Sequence, residues 1–349
     1  MRAIVLAGGE GTRMRPLTRR TPKPLVPLLN RPLLEHLLLH LRDHGFDQVT
    51  LALTHRAEAI QQAFGRGERL GLVLEYAYEN PPRGSGGAIA MVADGWTETF
   101  LVCNGDIITD LNLSAMLAAH RSQGAELSIS LYEVDDPSPF GVADIDETRR
   151  IRGFVEKPSR ELAPSRFVNS GSWLFEPLLL AGMDASRFNR VEYELFPRLC
   201  KQGRPVYGYR HEGYWADVGN PAALLRVNLD LVGGAVPARL PALPPMEGVL
   251  LGDGTVIALG AHVEGPVVIG ARSHIGAGAT VAGSVLWEDV TIGAGAIVHG
   301  STIASSVVIG AGAVVLDSVI AHDTTVESGA RLSGVAVEPA TVIAAGMTP

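Results

Sequence analysis

At 349 residues the chain is longer than one typical domain, and its composition, 46% hydrophobic and 19% charged, is that of a globular protein with two cores. A formal net charge of -8 at pH 7 argues against non-specific nucleic-acid binding, which rests on phosphate neutralisation by Lys and Arg. No run of eighteen apolar residues and no charged, apolar leader precede or interrupt the first strand pattern, so neither a membrane span nor a signal peptide is expected, and the cytoplasm is the expected compartment.

The first apolar run, Ala3-Ile4-Val5-Leu6-Ala7, is short, continuous and rich in branched residues, which predicts a strand buried on both faces. It ends in Gly8-Gly9, where the absence of side chains lets backbone N–H groups approach an anion. Further strands are predicted over 49–53, 72–77, 100–103, 127–134, 172–175 and 206–209. Helices are predicted over 32–44, opened by a proline and stopped at Gly45, and over 114–122, stopped near Gly124. This alternation predicts an α/β fold with a mixed, mostly parallel sheet, and ligands at the carboxyl ends of its strands. Cys103 and Cys200 make neither a disulfide framework nor a metal pair and read as buried thiols. Pro237 to Pro245 holds four prolines and reads as a linker.

From Leu251 the pattern changes. Seventeen aliphatic positions from Leu251 through Ile257, Val263 and onward to Ile343 recur at spacings of six, with a five at every third step from Val281. Six residues per side and three sides per coil describe a triangular parallel β-helix with one aliphatic per side pointing into the shaft. The "IGAGA" at 275, 292 and 309 repeats in phase, and the run resembles the left-handed hexapeptide-repeat helix. His262, His274, His299 and His322 fall outside the inward positions and read as surface residues.

Three cations, Arg13, Arg15 and Lys23, follow the Gly8-Gly9 turn, and Lys23 stands between two prolines. Only two other lysines exist, Lys157 and Lys201, so each placement is informative. "LAGGEGTRMRPLT" (6–18) with "PKP" (22–24) is neither a Walker loop nor a dinucleotide fingerprint. It closely resembles the signature of sugar-1-phosphate nucleotidyltransferases, and "EGYWADVGNP" (212–221) with the short single β-helix most resembles mannose-1-phosphate guanylyltransferases. The resemblance implies a Rossmann-like catalytic domain over 1–232, a proline-rich linker over 233–247 and a left-handed β-helix over 248–349.

It also implies roles. Leu6, Ala7, Gly8, Gly9, Gly11, Thr12, Arg13 and Lys23 would wrap the triphosphate, and "ENPPRGSGGAI" (79–89) would hold the nucleobase through Glu79, Gly84 and Gly87, although Arg83, Ser85 and Gly86 depart from the family pattern. Asp106 in "FLVCNGDIITD" and Asp217 in "EGYWADVGNP" would be the carboxylates of a magnesium ion, the implied cofactor. Gly141 in "FGVADID", Glu156 and Lys157 in "FVEKP", and Asn169 and Gly171 in "NSG" would meet the sugar phosphate. Asp106 and Asp110 have an alternative reading as helix caps, Trp215 reads as packing, and Glu192 and Glu194 read as helix N-terminal charges rather than site residues.

Elementary chemistry agrees with this set. Joining a sugar phosphate to a nucleoside triphosphate brings two polyanions together, so cations must offset the repulsion, and Arg13, Lys23 and Lys157 have that capacity. Magnesium takes one or two carboxylates plus phosphate oxygens. A phosphate monoester with second pKa about 6 is already ionised at neutral pH and needs no general base. The expected function is nucleotidyl transfer to a sugar 1-phosphate with release of pyrophosphate, best GTP and mannose 1-phosphate. Its alternatives are UTP or dTTP with glucose 1-phosphate, a bifunctional enzyme whose β-helix transfers an acyl group, and a non-catalytic regulatory subunit. Because the β-helix faces are smooth and weakly charged, a homo-oligomer built on a twofold is expected.

Overall fold

The computed structural model describes residues 1–234 and 248–346. Residues 235–247, which include nearly all of the expected linker, lie outside the described residues. The chain forms two compact units that are not consecutive segments: one comprises Met1–Gly9 and Leu37–Trp215, the other Glu10–His36 and Ala216–Pro349.

The first unit is built on a nine-stranded mixed sheet. Its strands are β1 (Arg2–Leu6), β2 (Gln48–Leu53), β3 (Val73–Tyr78), β4 (Phe100–Asn104), β5 (Leu127–Glu133), β6 (Gly141–Ile145), β7 (Ile151–Glu156), β8 (Phe167–Phe175) and β9 (Val206–His211). The order is β7-β6-β8-β4-β1-β2-β3, with β5 and β9 attached through β8. Strands β4, β1, β2 and β3 run parallel, as do β5 and β9, while β8 is antiparallel to β4, β5 and β6. Central β1 buries Ala3, Ile4 and Val5 completely, which is why its sequence does not alternate. The helices are α1 (Leu33–Asp43), α2 (Ala57–Phe64), α3 (Gly84–Val92), α4 (Leu113–Ser122), α5 (Leu195–Lys201) and α6 (Pro221–Val232). A core of Trp173, Phe175, Phe100, Phe154 and Phe196 packs beside the sheet with edge-to-face ring contacts.

The second unit holds the β-helix, three parallel sheets of six, six and five strands. Ile269, Ile275, Val281 and their successors to Ile343 form one aliphatic shaft. Register confirms the coil length: Val249 faces Val267, and Val268 faces Val285, an eighteen-residue and then a seventeen-residue step. The short side is completed by a serine ladder. Ser284, Ser301 and Ser318 are buried, and each hydroxyl accepts the N–H one coil on, from Ser301, Ser318 and Val335 at 3.1, 3.1 and 3.2 Å. The first glycine of each "IGAGA" is required by the next coil: a Cβ on Gly293 would lie 2.5 Å from the Ala311 nitrogen.

Two expectations change. Leu251 and Ile257 are 45% and 39% exposed rather than in the shaft, because the first coil has a neighbouring coil on one side only. His322 is buried rather than on the surface; its ring packs edge-on against Trp287 at 5.2 Å.

Candidate functional site

Strand β1 ends where its neighbours end. Leu6 pairs with Ala52 and Asn104, and the Ala7 N–H still donates to the Ala52 carbonyl at 3.0 Å, so Gly8-Gly9 begins just past the last ladder bond. The Thr54 hydroxyl donates to the Gly8 carbonyl and secures the turn. Beyond these strand ends the first unit opens a cavity of about 300 Å3, whose walls include Leu6, Gly8, Gly9, Glu79, Gly84 and Glu156. This is the carboxyl-end location expected of an α/β sheet.

Glu79 is buried, and a Cβ on Gly8 would lie 3.0 Å from the Thr54 Cγ2, so the glycine leaves room for the threonine that secures the turn. Glu79 Oε2 accepts the Arg83 N–H at 2.7 Å. Burial raises the Glu79 pKa against the opposing effect of Arg83. The 84–87 stretch departs from the family pattern for a structural reason. Gly86 N–H donates to the Asn189 carbonyl at 3.0 Å, and a Cβ on Gly86 would lie 1.8 Å from the Asn189 amide oxygen, so alanine does not fit. Ser85 Oγ donates to Glu192 at 2.7 Å and accepts the Val191 N–H at 3.1 Å. Asn189 thereby clamps the start of α3 to the 187–191 segment.

Sequence reasoning missed this segment. Glu192, expected as a helix N-terminal charge, lies in the cavity wall together with Arg190, because α5 starts only at Leu195. Glu194 does precede α5 and pairs with Arg187. Nothing in the periodicity of "FNRVEYE" separates a site wall from a surface loop. Glu156 has its pKa raised by burial and by repulsion from Glu192, with Lys157 opposing. A Cβ on Gly141 would lie 2.6 Å from Glu156 Oε2, so Gly141 keeps that carboxylate in place. Lys157 holds a left-handed backbone, φ 48°, fixed by its N–H donating to the Phe140 carbonyl at 2.9 Å.

Asp106 sits in the turn after β4, whose Gly105 N–H donates to the Leu6 carbonyl at 2.9 Å, placing Asp106 beside the end of β1. It does not cap a helix. Asn112 caps α4, accepting the Ala115 N–H at 2.9 Å, and Asp110 instead accepts the Tyr214 N–H at 2.7 Å. Asn169 uses its side-chain oxygen on the Gly171 N–H and the Trp173 indole, at 3.0 and 2.7 Å, so its amide nitrogen is what remains for a ligand. Gly171 has φ +84°, and a Cβ there would lie 3.0 Å from the Asn104 amide. Trp215 packs against Tyr132 and Phe140, and its indole donates to the Ser170 carbonyl at 2.9 Å.

Gly11, Thr12, Arg13, Lys23 and Asp217 lie in the second unit. Gly11 has φ +66° and precedes the 3-10 turn Thr12–Met14, and a Cβ on Gly11 would lie 3.0 Å from the Lys23 Cβ. A Cβ on Gly219 would lie 3.1 Å from Asp217 Oδ1 and 3.3 Å from an Arg13 guanidinium nitrogen, so this glycine lets Arg13 and Asp217 share one corner. Gly87 faces Arg83 and the Arg187 carbonyl in the first unit, where a Cβ would clash at 2.7 and 2.9 Å.

The nucleotidyl transferase family pattern matches residues 2–233, and a GMPPB C-terminal domain pattern matches 246–348. The chain belongs to the nucleotidyl transferase family. This transferase is 38% identical to mannose-1-phosphate guanylyltransferase of Mycobacterium tuberculosis over 83% of the chain and 80% of the relative. It is 31% identical to UTP–glucose-1-phosphate uridylyltransferase of a Synechocystis strain over 81% and 77%. Among solved structures it is similar to HddC from Yersinia pseudotuberculosis complexed with GMP-PN, at TM-score 0.57 and 26% identity, covering 66% of this chain and 98% of that one. No helix among the described residues is long and apolar enough to cross a membrane.

Proposed function

We propose that the transferase joins GTP and mannose 1-phosphate to give GDP-mannose and pyrophosphate, in the cytoplasm and as a homo-oligomer. The observation that carries the choice of base is the buried Glu79 carboxylate in the cavity wall. Guanine presents adjacent ring N–H and amino donors, which one carboxylate accepts together, whereas uracil and thymine present a single N–H between two carbonyls. The Mycobacterium relative supports the same substrates.

In this reading the turn from Gly8 to Lys23 takes the triphosphate, Lys157 takes the sugar phosphate, and Glu156 with Gly141, Asn169 and Gly171 orients the sugar. The sugar phosphate oxygen attacks the α-phosphorus and pyrophosphate leaves. Because the attacking oxygen is already ionised, positioning and charge neutralisation supply the rate. The donor set suits magnesium. Asp106 and Asp217 would offer hard carboxylate oxygens, and magnesium takes one or two carboxylates with water and phosphate oxygens completing its shell. When bound, magnesium would neutralise phosphate oxygens, while Arg13 beside Asp217 adds a fixed positive charge.

The test is a panel of five nucleoside triphosphates against four sugar 1-phosphates, scored by pyrophosphate release. Preference for GTP and mannose 1-phosphate that declines in Glu79→Gln supports the reading. A uridylyl or thymidylyl preference with glucose 1-phosphate establishes the second reading, which the Synechocystis relative favours.

A further inference from the structure

The segment that carries Arg13 and Lys23 is bonded, within the second unit, to the β-helix. Arg19 donates to Glu338 at 3.0 and 3.2 Å, Arg20 pairs with Asp323, and Thr21 Oγ1 lies 2.7 Å from His322 Nε2. These are three consecutive residues, and Lys23 follows after one proline. A few residues on, Leu29 and Asn30 form the two-residue turn of a hairpin, both at positive φ, 50° and 60°. Leu29 is strained there, and the turn is held by buried Asn228, which accepts the Leu29 N–H at 2.8 Å, and by the Asn30 amide donating to the Ile269 carbonyl at 2.9 Å. Both ends of the Lys23 turn are therefore fastened, one to late coils and one to α6 and an early coil.

The fastening reaches the glycine turn. The Thr18 hydroxyl donates to the Gly11 carbonyl at 2.8 Å, and Gly11 has no room for a Cβ against Lys23. Pro22 and Pro24 leave the backbone on either side of Lys23 little freedom. Displacing Thr21 must then displace Lys23 and, through Thr18, Gly11. Exposed ion pairs of this kind contribute little to stability, so their consecutive spacing points to geometry.

We infer that His322, Asp323 and Glu338 are positioning residues for nucleotidyl transfer: the β-helix holds the Arg19–Lys23 stretch so that Lys23 and Gly11 are presented ready-made to the triphosphate. The consequence for catalysis rests on the role proposed above for Lys23; the fastening does not.

The experiment compares the full-length protein with the Asp323→Ala/Glu338→Ala variant, the same variant carrying His322→Ala, and a charge swap, Arg20→Asp with Asp323→Arg. Hydrogen exchange of peptides spanning 11–25 is expected to quicken about tenfold in the alanine variants while the β-helix shaft keeps its protection. The KM for GTP is expected to rise about tenfold, with turnover at saturating GTP and the KM for mannose 1-phosphate within about twofold, and the swap is expected to restore it. Unchanged exchange over 11–25 overturns the fastening. Quickened exchange with an unchanged KM for GTP, or equal rises in both KM values, overturns the positioning role. If GTP is not the substrate, the exchange result still decides the fastening, and the kinetic arm is read with the triphosphate that is.

Discussion

The cavity of the first unit carries three carboxylates, Glu79, Glu156 and Glu192, and the arginine Arg190, whereas the Gly11–Lys23 stretch of the second carries Arg13, Arg15 and Lys23. The first set accepts hydrogen bonds and suits the neutral parts of a nucleotide sugar, its base and its hydroxyls. The second neutralises and suits phosphate. The difference also lies in support: the carboxylates stand at strand ends and in a loop against α3, while the stretch that carries the cations is bonded to the β-helix through Arg19, Arg20 and Thr21. Most of the proposed recognition groups thus lie in the first unit and most of the proposed phosphate cations in the second, with Lys157 the cation of the first.

The largest expected effect is on the two carboxylates proposed for magnesium. Asp106→Asn and Asp217→Asn, one in each unit, should each cut turnover by at least about 10²-fold with the fold intact by circular dichroism. A near-normal rate in either would remove that residue from the metal site. Acid should loosen the first unit. His40 is buried, its Nε2–H donates to the Leu111 carbonyl at 2.9 Å, and burial lowers its pKa to about 4. Its unfolded form binds a proton below about 6.5 while the folded form does not, so stability falls as pH drops from 6.5 to 4, by about 3 kcal/mol for this group. Hydrogen exchange around α1 and the sheet should quicken between pH 6.5 and 4.5, and unchanged exchange would remove His40 from the acid response.

Truncation after Leu231 should leave some transfer at saturating nucleotide, since the expected catalytic residues precede it. It also removes His322, Asp323, Glu338 and Ile269, so the KM for GTP should rise about tenfold, as measured by pyrophosphate release. Lys23→Ala and Lys157→Ala should each raise one KM about tenfold, that for GTP and that for mannose 1-phosphate respectively. Identical defects would end the assignment of one cation to each substrate. Light scattering should find an oligomer at micromolar concentration, and substitution of exposed Val308 by Asp should shift it toward monomer with little effect on rate. A wild-type monomer would remove the assembly role.

Much of this was legible in the chain. Periodicity located β1, β2, β4, α4 and the β-helix, because buried parallel strands and repeated coils impose one apolar position per step over long stretches. Motif order singled out the glycine turn, Asp106, Lys157 and Asp217 as the residues proposed for the site. Three things were not legible. Glu192 and Asn189 line or clamp the cavity only because a loop after β8 folds back onto α3, and a loop carries no period. His322 looked like a surface residue because the six-residue phase describes only the inward face, while its burial comes from Thr21 and Trp287, 301 and 35 residues away in the chain. The grouping of residues 10–36 with the β-helix rests on long-range contacts, side-chain bonds from Arg19, Arg20, Thr21 and Asn30 among them. Local propensity and spacing specify which residues form each element; which element holds a functional loop depends on contacts between residues about three hundred positions apart, as Arg19 and Glu338 are.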